Sequence, residues 1–449
     1  HAIAHGTAEN GKTIYAYGGD HGEEIHDGNF CMDGLVYPDR TVHTGLLEYK
    51  NVYRPARVIS YNKESGELVL HNYMDFDDLK DYVKISYELT QDGLVISKGI
   101  LPEFSVAPHG EGKTNLKINV PENGKCYLKL IYHLKKELPL LDEDHILGFD
   151  EIEVSKEDTK CKLAEKWIPK TVVDSELQVN ENDTQIHIKG REFAYTIDKR
   201  TALFTEMKFA GREYLNHPME LNIWRAPTDN DMYIKSEWKK AHYDKAYTRA
   251  YTTEVVQGKH GVKITSHASV VAETVQKILD VTITWKIDAT GKIDADIEAT
   301  KDGEFPDLPR FGVRMFLDKK LSAVRYFGMG PQESYCDKHQ AASHGLYRAD
   351  VGDLHEDYIR PQENGSHYDC EYVELNNSRY GIVASAEKAF SFNASYYTQE
   401  ELEKKTHNYE LIESDSVVFC VDYALNGIGS NSCGPVVLDQ YRFDDVLFR

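Results

Sequence analysis

Four stretches of this chain gather side chains that could do chemistry. The first, YGGDHGEEIHDGNFCMDGLVYPDR at 17–40, carries His21, Glu23, Glu24, His26, Asp27 and Asp33. These groups could ligate a cation, yet their spacing matches neither an EF-hand loop nor an H-E-x-x-H helix. A Gly- and Asp-rich turn whose charges face water explains most of them equally well. Asp33 differs, because Phe30, Cys31 and Met32 precede it, so it is expected to be partly buried and to need a partner.

The second stretch, NIWRAPTDNDM at 222–232, sets Arg225 ahead of Asp229, Asn230 and Asp231. Three polar side chains in one turn could hold a cation or a hydroxyl-rich ligand. They could instead cap the helix that starts near Met232, with Arg225 paired internally. The third is divided between YFGMGPQESYCDK at 326–338 and IRPQENGSHYDCEYVEL at 359–375, which supply Glu333 and Glu363. Glycoside hydrolysis needs two carboxyls ~5–9.5 Å apart, so this pair is a candidate. Two structured loops whose carboxylates accept backbone amides are the alternative. The fourth, LNGIGSNSCGP at 425–435, is Gly-rich but lacks the Lys and the following helix of a phosphate loop, so it reads as a surface loop.

The elements that must position these residues are β-strands. From about Tyr53 to Val154 the sequence alternates with period two and meets a turn signal roughly every 8–12 residues, including Ser65-Gly66 and Asp92-Gly93. That pattern, over about 100 residues, predicts an immunoglobulin-like β-sandwich at 51–155. Residues 156–175 lose the alternation and carry Pro169, so they read as a linker. Strand patterning then resumes from 176 to 449, too long for one ordinary sandwich and therefore an extended two-sheet structure. Only DMYIKSEWKKAHYDKA and TQEELEKKT look helical.

Composition narrows the partners. A chain of 449 residues that is 41% hydrophobic can bury a core in two or three units. A formal charge of −22 would repel nucleic acid and anionic membranes over the whole surface. Neutral sugars remain open. The seven cysteines are odd in number, scattered and never in a C-x-x-C pair, which favours a reducing, cytoplasmic compartment. No stretch approaches the ~18 apolar residues of a membrane helix. HAIAHGTAENGKTIYAYGG opens without the capping logic of a domain start, so a preceding segment is expected.

Taken in order, AYGGDHGEEIHDGNFCMDGLVYPDRTVH, RAPTDND, GMGPQESY, PQENG, FSFNASYYTQEEL and GIGSNSCGP resemble the C-terminal part of the β-galactosidases of glycoside hydrolase family 2. The resemblance covers essentially the whole chain. It implies a mainly β fold: the last segment of a catalytic TIM barrel at 1–50, the immunoglobulin-like sandwich, the linker, and a galactose-mutarotase-like β supersandwich at 176–449. It places both catalytic glutamates before His1, so none is expected in this chain and the chain alone is expected to be inactive. The remaining partners would be the N-terminal portion of the same enzyme, a β-galactoside substrate and further copies of the complete protein.

The resemblance also assigns roles to single residues. Phe30 would lie against galactose and offer its carbonyl to a sodium ion. Asp33 stands where the family commonly has an Asn that binds the same ion and a sugar hydroxyl. His26 stands near the family's magnesium site, although an imidazole suits hard Mg²⁺ poorly. Cys433 replaces a tryptophan that stacks on the second sugar, and a thiol offers no aromatic platform. Two other readings stay open: a stand-alone carbohydrate-binding protein, and mutarotase chemistry by fold analogy.

Overall fold

The computed structural model describes residues 2–156, 159–166, 177–274 and 277–449. The chain opens with the hairpin Ile3–Thr7 and Thr13–Ala16, followed by long loops and the helix Thr44–Val52. Nothing in the residue pattern marks that helix, since its only buried residues are Thr44 and Asn51 and it has no side-chain N-cap. An apolar stripe is what makes a helix visible in sequence, and polar contacts hold this one instead.

A sandwich follows. Ala56–Tyr61, Glu67–Asn72 and Glu111–Asn115 form one sheet, and Leu94–Ile100, Val83–Gln91, Cys126–Leu134 and Ile146–Glu153 form the other. Alternation along each strand buries one face: Leu128, Leu130 and Tyr132 are fully enclosed, with Leu68 and Leu70 in the same core. Both predicted turns are present. Asp92 and Gly93 take φ of +48° and +79° as the two-residue link of a hairpin, the left-handed pair that matches strand twist. Gly66 adopts φ +78° after an Asn62 side chain that accepts from the amides of Glu64 and Ser65.

The linker expected over 156–175 falls largely outside the described residues. Within its described part, Ala164–Lys166 makes a single 3₁₀ turn, and Leu163 packs on Tyr127, Phe327 and Tyr372.

The C-terminal region is a supersandwich of three antiparallel sheets. A five-stranded meander runs from Gln178–Glu181 to Arg212–Glu213. A second five-stranded sheet contains Tyr247–Gln257 through Ile293–Lys301 and closes with Leu447–Phe448. The central seven-stranded sheet has the order Leu215–Asn222, Arg310–Asp318, Ser416–Leu425, Gly381–Ser395, Ser366–Asn376, Ala323–Gly330, Ser343–Asp350. One continuous core joins all three, from Leu177 to Phe448, with Trp285 donating its ring N–H to the carbonyl of Ala202. The two helices expected here are Ile234–Lys240 and Gln399–Lys404, the latter capped by Thr398.

Polar contacts lock the parts together. Asn51 donates to the carbonyl of Gln340 and accepts from the amide of Phe149. Glu48 accepts from the amides of Gln340 and Ala341, and Arg54 pairs with Asp150 at 2.7 Å. His344 of the supersandwich reaches Glu151 of the first sandwich at 2.7 Å and stacks on Tyr127.

Candidate active-site wall

Strand-end loops of the seven-stranded sheet and residues 29–48 enclose a cavity of about 450 Å³. Asn29, Met32, Asp33, Tyr37 and Thr44 line one side; Asp229, Asn230, Glu333, Lys338, Tyr358, Arg360 and Glu363 line the other. Asp33, Glu333 and Glu363, singled out far apart in sequence, therefore share one space.

Their environments differ. Both Glu333 oxygens are occupied: Oε1 takes Lys338 Nζ at 2.6 Å and the Tyr358 hydroxyl at 2.5 Å, and Oε2 takes the Gly365 amide at 2.8 Å. Burial alone would raise this carboxyl, but the Lys338 charge and these donors hold it below its ordinary value. Glu363 is also buried, and there burial wins: its carboxyl lies above the ordinary value although Arg310 stands 3.3 Å away. Arg310 is shared with Asp422 at 2.6 Å, so its charge is divided between two acids. Of the two readings of Glu333 and Glu363, these contacts favour structured loops over a catalytic pair. A nucleophile needs an oxygen free to attack, and Glu333 has none to spare while Glu363 is engaged by a buried guanidinium.

The Asp229–Asn230–Asp231 turn is also held by protein contacts. Arg225, fully enclosed, donates to both Asp231 oxygens at 3.1 and 2.7 Å and to the carbonyls of Asn426 and Gly427. Burial would lower the guanidinium, and Asp231 more than offsets it. Asp229 accepts from the Asn29 amide at 2.9 Å and from Gln362 at 3.1 Å. Asn230 donates to the Gly429 carbonyl at 2.7 Å and accepts from Ser432. Asn29, Lys338, Tyr358 and Thr44 complete these networks and gave no signal in sequence beyond lying beside the residues that did.

In the opening loop, Glu23 accepts from the amides of Gly19 and His21, and Glu24 is exposed. Asp33 is exposed with no hydrogen-bond partner among the described residues, against the expectation of partial burial. The apolar residues before it do not cover it: Phe30 is half-exposed and Cys31 is on the surface. His26 is exposed and turns Nδ1 to the Gly28 amide. Cys433 is a surface thiol on the 426–434 loop.

These residues do not fit a resident cation by themselves. The Asp33 carboxylate and the Phe30 carbonyl supply two oxygen donors, against the ~6 that a hard cation takes. Among the described residues no group of three His, Cys, Asp or Glu side chains is placed to hold a metal ion.

Family comparison places the chain as a whole. The family described as "Beta galactosidase small chain" matches residues 189–448. The chain belongs to that family. "Beta-galactosidase, domain 4" matches 68–155, and "Glycosyl hydrolases family 2, TIM barrel domain" matches 1–58. The order is the one implied by the sequence resemblance to the C-terminal part of a family 2 β-galactosidase. A β-galactosidase of Actinobacillus pleuropneumoniae is 45% identical over 97% of this chain and 42% of its own length. Others from Staphylococcus xylosus and Pseudoalteromonas haloplanktis are 32% and 27% identical, over 99% and 98% of this chain and 44% and 43% of theirs. The chain thus spans about two fifths of the length of the curated relatives it matches. A galactose 1-epimerase of Lactobacillus acidophilus NCFM aligns at 10% identity over 61% of this chain and 96% of that one, and its TM-score of 0.28 is too low to bear on this chain. Among the described residues no helix is long and apolar enough to cross a membrane.

Proposed function

We propose that this chain is the C-terminal part of a retaining β-galactosidase that hydrolyses terminal β-D-galactosides. It contributes one wall of the active site, and the nucleophile and acid/base glutamates come from the remainder of the enzyme. The observation that carries this reading is the cavity walled jointly by residues 29–48 and the supersandwich loops, with Asp33 in its lining. In a retaining glycosidase one carboxylate attacks the anomeric carbon while an acid protonates the leaving oxygen and then activates water. Glu333 and Glu363 are too firmly engaged to take those roles.

In this reading Phe30 packs against the galactose ring, and Asp33, without a hydrogen-bond partner among the described residues, accepts from a sugar hydroxyl. Cys433 marks the side of the leaving group without an aromatic surface to stack on it. Sodium or magnesium, where the complete enzyme uses them, would draw most of their ligands from outside this chain. Seven free thiols support a reducing, cytoplasmic setting, and the complete enzyme is proposed to be a homo-oligomer.

The test is complementation. Hydrolysis of o-nitrophenyl galactoside is measured with the chain alone, then after mixing with the remaining part of the enzyme. Activity only in the mixture is expected. Turnover by the chain alone would sink the reading, and tight sugar binding without turnover in either case would favour a stand-alone carbohydrate-binding protein.

A further inference from the structure

The three residues of the Asp229–Asp231 turn face three different ways. Asp231 points inward, where its ion pair with fully enclosed Arg225 fixes the turn to the supersandwich core. Arg225 also sits over Trp238, 5.3 Å from the ring centroid, and holds the carbonyls of Asn426 and Gly427. The turn is therefore fixed by the buried Asp231–Arg225 pair, which also ties down the start of the 426–434 loop.

Asp229 points toward the opening segment. Both of its oxygens lie 2.9 Å from the side-chain nitrogen of Asn29, while the side-chain oxygen of Asn29 accepts from Arg360 at 2.6 Å. Gln362 braces the same carboxylate and accepts from the Asp229 amide at 3.0 Å. Asn29 is adjacent to Phe30 and four residues from Asp33. Asn230 points the other way, to the Gly429 carbonyl and to Ser432, the neighbour of Cys433. Asp337 secures that loop from its far side by accepting from the amides of Ile428 and Gly429.

We infer that Asp229 and Asn230 are separate positioning residues for the two edges of the substrate mouth: Asp229 sets the galactose edge through Asn29, and Asn230 sets the leaving-group edge through Gly429 and Ser432. The inference rests on the proposed wall, and it adds a division of labour between neighbours in sequence. Loss of the Asp229 contact frees the loop that meets every galactoside alike. Loss of the Asn230 contact frees the loop that meets only the part by which galactosides differ. Neither residue touches the reacting atoms, so both act through the loops they hold.

Two measurements test this. Hydrogen exchange on the intact chain reads the loops directly: Asp229→Ala accelerates exchange in 26–34 and leaves 426–434 unchanged, and Asn230→Ala does the reverse. Kinetics of the complemented enzyme read the consequence. Asp229→Ala raises KM about tenfold for o-nitrophenyl galactoside and lactose together, short of the ~100-fold that misplacement by an ångström can cost. Asn230→Ala changes the ratio of kcat/KM between those two substrates by threefold or more. Asp229→Asn, which keeps an oxygen for the Asn29 amide, restores most of the loss; an unfolded variant could not show that rescue.

Exchange that rises in both loops for either variant, or in neither, overturns the inference. So does a change in substrate ratio from Asp229→Ala equal to that from Asn230→Ala. Phe30→Ala separates this from a failure of the proposed function. If it leaves KM unchanged, the wall itself is misassigned and the substrate role of both positioning residues falls with it. If it raises KM while Asp229→Ala does not, the wall stands and only the positioning role is lost.

Discussion

His344 sits between two carboxylates where the supersandwich meets the first sandwich, and its proton should be worth measurable stability. Nδ1 lies 2.7 Å from Glu151 of the first sandwich, Nε2 lies 3.0 Å from Asp369, and the ring stacks on Tyr127 at 4.0 Å. Nearby cations are themselves engaged: Lys129 donates to Ser343, and Lys125 pairs with Glu153 and Glu371. Burial alone would lower the imidazole, but the bonds to Asp369 and Glu151 overcome it and hold the group up at about 9, from an ordinary 6.5. A value raised by folding means that the folded state binds the proton more tightly. The contribution is complete below pH 6.5 and is lost as pH rises through 9. Linkage gives about 3 kcal/mol at pH 6, roughly 2–3 kcal/mol at pH 7 and near zero at pH 10. The assay is urea unfolding of the wild type and His344→Gln at pH 6, 8 and 10. The wild-type advantage should shrink from about 3 kcal/mol toward zero over that range, and the variant should separate the unfolding of the two sandwiches. Parallel pH dependence of the two proteins between pH 6 and 10 would refute the reasoning, because every other titrating group is common to both.

Two further outcomes follow from the same buried charges. Arg225→Ala leaves Asp231 enclosed without its partner and should cost ~3–5 kcal/mol in unfolding free energy; adding Asp231→Asn, which removes the stranded charge, should recover part of that loss but not all, because the carbonyls of Asn426 and Gly427 stay unpaired. Glu333→Gln should destabilise the chain by about 2–3 kcal/mol, because Lys338 keeps its charge in a mostly buried place. It should also leave the pH–rate profile of the complemented enzyme unmoved; a shifted profile would return Glu333 to the chemistry.

Much of the fold was legible in the sequence. Period-two alternation in segments such as LKLIYHL placed the strands, and Asp92-Gly93 and Ser65-Gly66 placed their turns, because those patterns express constraints within a few residues. The helix Thr44–Val52 was missed for the complementary reason: its buried side chains are polar and matter only through Gln340 and Phe149, which lie far along the chain. The candidate site divides in the same way. Stretches containing Asp33, Asp229, Glu333 and Glu363 stood out as unusual clusters of polar residues around Gly and Pro. What each carboxylate does could not be read there.

The sequence by itself determined the strand pattern, the acidic surface, the scattered free thiols and the motifs that carry the family resemblance, all of which are local or additive properties of residues in order. Only the tertiary structure decided which carboxylates are free. Asp33, expected to be partnered, is open to solvent, while Glu333, eligible as a nucleophile, has both oxygens engaged. A carboxylate's chemistry depends on what donates to it and how far water is excluded, and here both are set by residues tens to hundreds of positions away.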